Sequence, residues 1–376
     1  MTQFRLYLKW QPENWITLFL EGQDSRVFGE ELTAAPAINE NATPNIFADD
    51  FDLHQGYLEI KSNSEQLPIN VRAGRQKFNL GAQRLVASLE WVNTARVWDG
   101  VRVTVGQKKK RTLEAIASRL VPVNPNRFNN HSLTGSRYFN SGFHGIYYTD
   151  WLAIPNTQLE GYWLYRHVGN VNDKVHTIGA RFETQKDKFD VNGEFAGQVG
   201  EFGGLDHRAL MIHFGAGTRL QSLNNSHLGI AYNFATGDDD PTDTTHKTFD
   251  NLYPLNHAYY GYMDLFSLQN VHNTEIVFKT KIKKLAVRSA HQNFWLVNED
   301  NDAWYNAGLG AIRNAGGQDV NSRVGSELDI TVNYPLNKKL VVVGGYSHFF
   351  TGKYISQTGT HVDADFAFLM TKLTFF

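Results

Sequence analysis

The sequence predicts an all-β protein, a transmembrane antiparallel up-and-down β-barrel of about eighteen strands, about seventeen of them readable in this chain. Three observations carry that expectation. Segments of about ten residues alternate in polarity along most of the chain. The connections between them alternate between short and long. No apolar run approaches the length of a spanning helix, which excludes a helical membrane protein. It does not exclude a barrel, whose strands show lipid only alternate side chains.

In order, the strands are expected near residues 2–10, 14–22, 53–61, 69–76, 95–105, 111–120, 140–149, 156–168, 173–185, 188–198, 205–217, 225–236, 272–282, 284–296, 322–334, 338–350 and 364–376. From Val175 to Glu183, the residues Ile178, Ala180 and Phe182 share one face, and Thr177, Gly179, Arg181 and Glu183 the other. Phe189, Val191, Phe195 and Val199 likewise oppose Asp190, Asn192, Glu194 and Gln198. Further on, Val324, Leu328, Ile330 and Val332 oppose Arg323, Glu327, Asp329 and Thr331. Helical periodicity is not sustained anywhere. The last strand closes on Phe375-Phe376, an ending that outer-membrane barrels carry. Both of its faces bear large apolar groups, so its lipid side is left open.

The connections sort by length. Gln11–Asn14, Ser62–Pro68, Gly106–Lys110, Asp150–Pro155, Gln185–Lys188, Lys283–Lys284 and Pro335–Lys338 are short. Between them fall long loops at 23–52, 77–94, 121–139, 237–271, 297–321 and 351–363. Short periplasmic turns and long external loops are the habit of outer-membrane barrels, and a soluble sandwich has no reason to sort loops this way. The whole chain, 1–376, is read as one barrel domain. Because the strand count of a closed bacterial barrel is even, the parity predicts a further strand upstream of Met1.

Composition narrows the function classes. The formal net charge of −2 marks no nucleic-acid binder. There is no cysteine, which removes disulfides, thiolate metal sites and thiol nucleophiles. No G-x-S-x-G elbow, H-E-x-x-H helix or phosphate-binding glycine loop appears, so no enzyme and no cofactor is expected. Ser289 and His291 share a face without an orienting acid, and Ser347 and His348 fall on opposite faces. Asp238-Asp239-Asp240-Pro241-Thr242-Asp243 is acidic but lacks EF-hand spacing, and no metal site is assigned. Most tryptophans lie near predicted strand ends, as an aromatic girdle would. Trp91, Trp98 and Trp304 have a sharper alternative as platforms for sugar rings.

Several motifs resemble the alginate export family of outer-membrane porins. They are Gly74-Arg75-Gln76, then Gln83-Arg84-Leu85-Val86, Trp91, Asn93, Arg96 and Asp99-Gly100-Val101-Arg102. Ala235-Thr236-Gly237-Asp238-Asp239-Asp240-Pro241, Thr248-Phe249-Asp250-Asn251-Leu252-Tyr253-Pro254 and Tyr259-Tyr260-Gly261-Tyr262-Met263-Asp264 follow, and then Asp302-Ala303-Trp304-Tyr305. Their order, from about residue 50 to the end, carries the likeness. The resemblance implies a monomeric barrel in the bacterial outer membrane whose arginine-rich lumen conducts an anionic polysaccharide, alginate.

Sixteen to eighteen strands leave a water-filled interior, so selectivity is expected on the lumen face. The alternation points Arg72, Arg102, Arg166, Arg181, Lys279, Lys281 and Arg288 inward, with Glu59, Glu160, Glu183, Glu194, Glu327 and Asp329. Arg75, Arg84 and Arg96 lie in or beside the loop at 77–94, long enough to fold into the mouth. A guanidinium meets a carboxylate in two parallel hydrogen bonds, and a ladder of weak sites permits release as well as binding. The plainer reading is that lumen arginines and acids only satisfy one another across strands. The turns are basic at Lys108-Lys109-Lys110-Arg111, Lys186 with Lys188, Lys281 with Lys283-Lys284, and Lys338-Lys339. Charged turns that stay in water and set strand depth explain this better than a collar that gathers polyanions. The leading expectation is passive passage of anionic saccharide. Behind it stand a porin for small anionic or neutral solutes and an adhesin or receptor built on the long loops. Lipid is the expected environment, and partners in the periplasm are left open.

Overall fold

The structure, a computed structural model, describes residues 1–28, 47–62, 64, 66–123, 128 and 140–375. Most of the predicted loops 23–52 and 121–139, and Phe376, lie outside the described residues. The strands are β1 (Thr2–Glu13), β2 (Ile16–Arg26), β3 (Asp49–Lys61), β4 (Ile69–Gln76), β5 (Trp98–Gln107), β6 (Arg111–Leu120) and β7 (Ser141–Asp150). Next come β8 (Thr157–Val168), β9 (Asp173–Lys186), β10 (Phe189–Phe202), β11 (Leu205–Leu220), β12 (Ser226–Ala235) and β13 (Thr245–His246). The rest are β14 (Val271–Ile282), β15 (Leu285–Leu296), β16 (Ala303–Tyr305), β17 (Ala311–Asn314), β18 (Arg323–Pro335), β19 (Leu340–Thr351) and β20 (Ala364–Leu373).

Setting aside β13, β16 and β17, each long strand pairs antiparallel with its neighbour in sequence. That is the up-and-down order. The long strands lie within a few residues of their predicted positions. The two-residue β13 lies parallel to the start of β11. β16 and β17 form a separate hairpin, and Lys353–Thr358 is a short helix.

The sheet is rolled. Seventeen strands at about 4.8 Å spacing would span nearly 80 Å if flat. Yet the single loop 77–97 reaches β1 through Gln3, which donates to the Asn93 carbonyl at 2.6 Å, and β20 through Phe368, whose ring centroid lies 5.2 Å from that of Trp91. The same loop reaches β10 and β11 through Arg84. Only a wall curved around the loop puts all of these within reach.

Adjacent rows show which side is which. Glu160, Arg181, Glu194, His213, Asn233 and Asn273 lie in register across six strands, and all are buried. One step along, Ala180, Phe195, Ile212 and Phe234 are in register, with Phe195 51% exposed and Ile212 41%. Large apolar groups turned outward and polar groups turned inward reverse the order of a soluble sheet. Such a wall needs lipid outside, where every backbone polar group must find its partner within the ladder. On β20 the register settles the open question. Phe366 pairs with inward Ser347, whose hydroxyl donates to Asp329, while Leu369 is exposed on the lipid side.

The apolar core lies inside the barrel. Phe78, Leu80, Leu85 and Val86 pack with Phe249, Leu252, Tyr260, Phe266 and Leu268, drawn from the loops 77–97 and 236–270. Val86 and Tyr253 form a parallel bridge, extended by Ala87 donating to the Tyr253 carbonyl at 2.8 Å and Tyr253 donating to that of Leu85 at 2.9 Å. Two long loops are thus laced together as a plug.

Candidate functional site

The plug is held to the wall by charge. Arg84 donates to Glu194 of β10 at 3.3 Å, bonds His213 of β11 at 2.8 Å, and lies 4.4 Å over the Tyr259 ring. Arg166 of β8 reaches Asp250 of the second loop at 2.7 Å and Asp173 of β9 at 3.1 Å. Gln198 of β10 donates to the Asp250 carbonyl at 2.7 Å and accepts from its N–H at 2.8 Å. Glu327 of β18 accepts from the Met263 N–H at 2.9 Å. Gly261 makes that approach possible. Its φ is +95°, and a Cβ there would sit 2.5 Å from the Glu327 carboxylate.

The arginines named from the sequence fall into three groups. Arg75, Arg84, Arg166 and Arg181 are enclosed and paired. Arg75 holds Asp99 through two parallel bonds of 2.8 and 3.0 Å, and Arg181 donates to Glu160 at 2.6 Å and to Glu183. Arg96 belongs to the plug itself. It donates to the Pro254 carbonyl at 2.8 Å, and enclosure pulls its guanidinium from 12.5 down to about 10. Arg72, Arg102 and Arg288 stand on the open wall, each with one carboxylate: Glu59, Glu114 at 2.5 Å and Glu275 at 2.5 Å. Asp329 accepts from Ser347 at 2.6 Å.

Among the described residues, Lys279 and Lys281 have no carboxylate within ion-pair distance, and neither have Lys108 and Lys109. Lys279 faces Arg288 directly across β14 and β15. On the opposite flank, Arg72 faces Arg102 across β4 and β5. Like charges set opposite each other destabilise a sheet, so the pairs draw on the carboxylates beside them. A cavity of about 320 Å³ opens at the turn end of this second flank. It is lined by Arg72, Arg102, Glu59, Glu114, Lys108, Lys109 and Trp151 among others.

Several sequence readings are revised. Trp98 and Trp304 are neither girdle nor platform. Trp98 is buried against Phe78 and Tyr253, and Trp304 against Phe266. Trp91 stacks on His257 with centroids 3.9 Å apart, inside the plug. In the acidic loop, Lys247 pairs with Asp239 and Asp243, which gives its charges a local purpose. Ser289 and His291 sit opposite Ile330 and Leu328 on the lipid side, away from any aqueous substrate. The sequence does not assign Asp99, Asp250 and Glu114 as the partners of these arginines: Asp99 faces Arg75 in the strand register, Glu114 lies one diagonal step from Arg102, and Asp250 comes from a distant loop.

An antiparallel wall with a lipid-facing exterior, a polar interior and a loop plug defines an outer-membrane porin. The alginate export family matches residues 1–368, and the chain belongs to that family. Among solved structures it is similar to Pseudomonas aeruginosa OccK5 (OpdH), at 13% identity, covering 99% of this chain and 92% of that one, with a TM-score of 0.61. It is likewise similar to Acinetobacter baumannii OccAB2, at 10% identity over 98% and 90%, with a TM-score of 0.61. Pseudomonas aeruginosa OccK2 (OpdF) in complex with glucuronate matches at 12% identity over 88% and 79%, with a TM-score of 0.52. No curated protein matches. The protein resides in the bacterial outer membrane.

Proposed function

We propose that this porin is a monomeric passive channel for anionic saccharides, alginate being the polymer its family name specifies. The observation that carries the reading is the surplus of cations on the open wall. Lys279, Lys281 and Arg288 stand against Glu275, and Arg72, Arg102, Lys108 and Lys109 against Glu59 and Glu114. The enclosed arginines are neutralised and leave the plug fixed, so the open-wall cations set the field a polyanion meets. Glucuronate, held by OccK2, is a carboxylated sugar of the class proposed here. A channel for small anionic or neutral solutes is the second reading, because the Occ porins resemble this barrel whichever solute it passes.

Planar-bilayer recording tests the choice. An ion current is expected, blocked by short oligouronates. In Lys279→Gln combined with Arg288→Ala, the blocking concentration should rise about tenfold, equivalent to about 1.4 kcal/mol of lost binding. A current indifferent to oligouronates would leave the small-solute reading. The absence of any current would sink the channel.

A further inference from the structure

We propose that the cavity at the turn end of β4, β5 and β6 is a loading subsite that seats one uronate ring of an incoming polyanionic saccharide; this rests on the proposed passage of anionic saccharides. The strand register builds it. Arg72 and Arg102 are opposed across β4 and β5, and Asn70 and Thr104 are opposed one step nearer the turns. Thr104 in turn pairs with Glu114 on β6. The backbone of the neighbouring turn docks here too, Trp151 donating to the Lys110 carbonyl at 2.7 Å. Trp151 therefore closes one side of the cavity.

Three features suit one carboxylated sugar. The volume, about 320 Å³, falls at the lower end of small-molecule pockets, which run from about 300 to 1,000 Å³. Arg72 and Arg102 are balanced by Glu59 and Glu114, so Lys108 and Lys109 leave the pocket net positive. Two enclosed polar atoms are also unsatisfied: the Arg102 Nε, a donor, and the Asn70 Oδ1, an acceptor. A bare chloride or sulfate, which can only accept, would use the donor alone. With the Arg102 and Asn70 side chains turned toward the cavity they line, a uronate supplies a carboxylate for the first and a hydroxyl for the second, and its ring carries a C–H face that can lie against the Trp151 indole. Buried polar groups left unmatched are costly, so a ligand that pairs both is favoured over one that pairs neither.

The pocket lies at the short-turn end, which in such barrels is periplasmic. It would meet a saccharide entering from inside the cell before the plug does. This gives the subsite a polarity that a uniformly basic lumen lacks.

The test is block of single-channel current by an oligouronate trimer added to one face at a time. In the parent protein, block from the turn face should be the stronger. Trp151→Ala and, separately, Arg102→Gln should each shorten the turn-face residence time about tenfold. Lys283→Gln with Lys284→Gln, which removes two charges from a different turn, should change it less than twofold. Equal loss in that control would reduce the effect to diffuse charge and overturn the subsite. An unchanged residence time in Trp151→Ala would overturn it as well, while trimer flux into liposomes would leave the passage reading standing. Absent flux, with saturation-transfer NMR still showing Trp151-dependent trimer binding, would sink the passage reading and keep the pocket. Each variant's unblocked salt current verifies that it has folded.

Discussion

Neighbouring arginines with the same sequence signature do different work. Arg75 and Arg72 lie three residues apart on β4, yet Arg75 is locked on Asp99 and the Leu53 carbonyl while Arg72 lies 4.2 Å over the Tyr57 ring at the cavity. Arg84 and Arg181 are likewise enclosed among carboxylates, so their removal should be read in stability. Arg84→Ala strands Glu194 beside His213 without its cation. Breaking an enclosed pair from one side costs about 3–5 kcal/mol. The expected result is a lower unfolding temperature in detergent by calorimetry and a noisier open-channel current as the plug loosens. An unchanged thermogram would show that Arg84 does not anchor the loop. None of this division was legible in the sequence. Alternation assigns a residue to a face, but the partner of Arg166 is Asp250, 84 positions away in a loop.

Whole elements were far more legible. The spacing of polar and apolar residues located each long strand, because one lipid face and one water face repeat along the wall at a period of two. What escaped were elements without that contrast. The β16–β17 hairpin and the helix Lys353–Thr358 sit within loops, where no membrane imposes a period. The inward fold of the loops 77–97 and 236–270 was legible only as length. Its cause is the run of apolar residues, Phe78, Leu80, Leu85 and Val86 against Phe249 and Leu252, that would otherwise face water. Replacing residues 80–90 by a short glycine-serine link should therefore leave the wall folded and raise single-channel conductance at least twofold. A conductance equal to the parent's would place the constriction elsewhere.

For the molecule as a whole, the exposed belt decides the solvent. Ile178, Ile230 and Ile276 are each more than half exposed while Thr177 and Glu327 are fully enclosed. Contiguous apolar surface on that scale is incompatible with a dispersed soluble monomer. Diluted out of detergent, the folded protein should sediment within minutes; unheated in dodecyl sulfate, it should migrate as a compact form that boiling converts. A species that stays monodisperse in plain buffer would contradict the lipid-facing exterior.

The lacing of one loop to both outermost strands has a mechanical consequence. Glu90 is held by Arg5 of β1, and Trp91 lies against Phe368 of β20. Two segments from opposite margins of the ladder therefore converge on consecutive residues of a third. The insert thereby acts as a brace across the seam, tying both margins of the wall to one short stretch of chain.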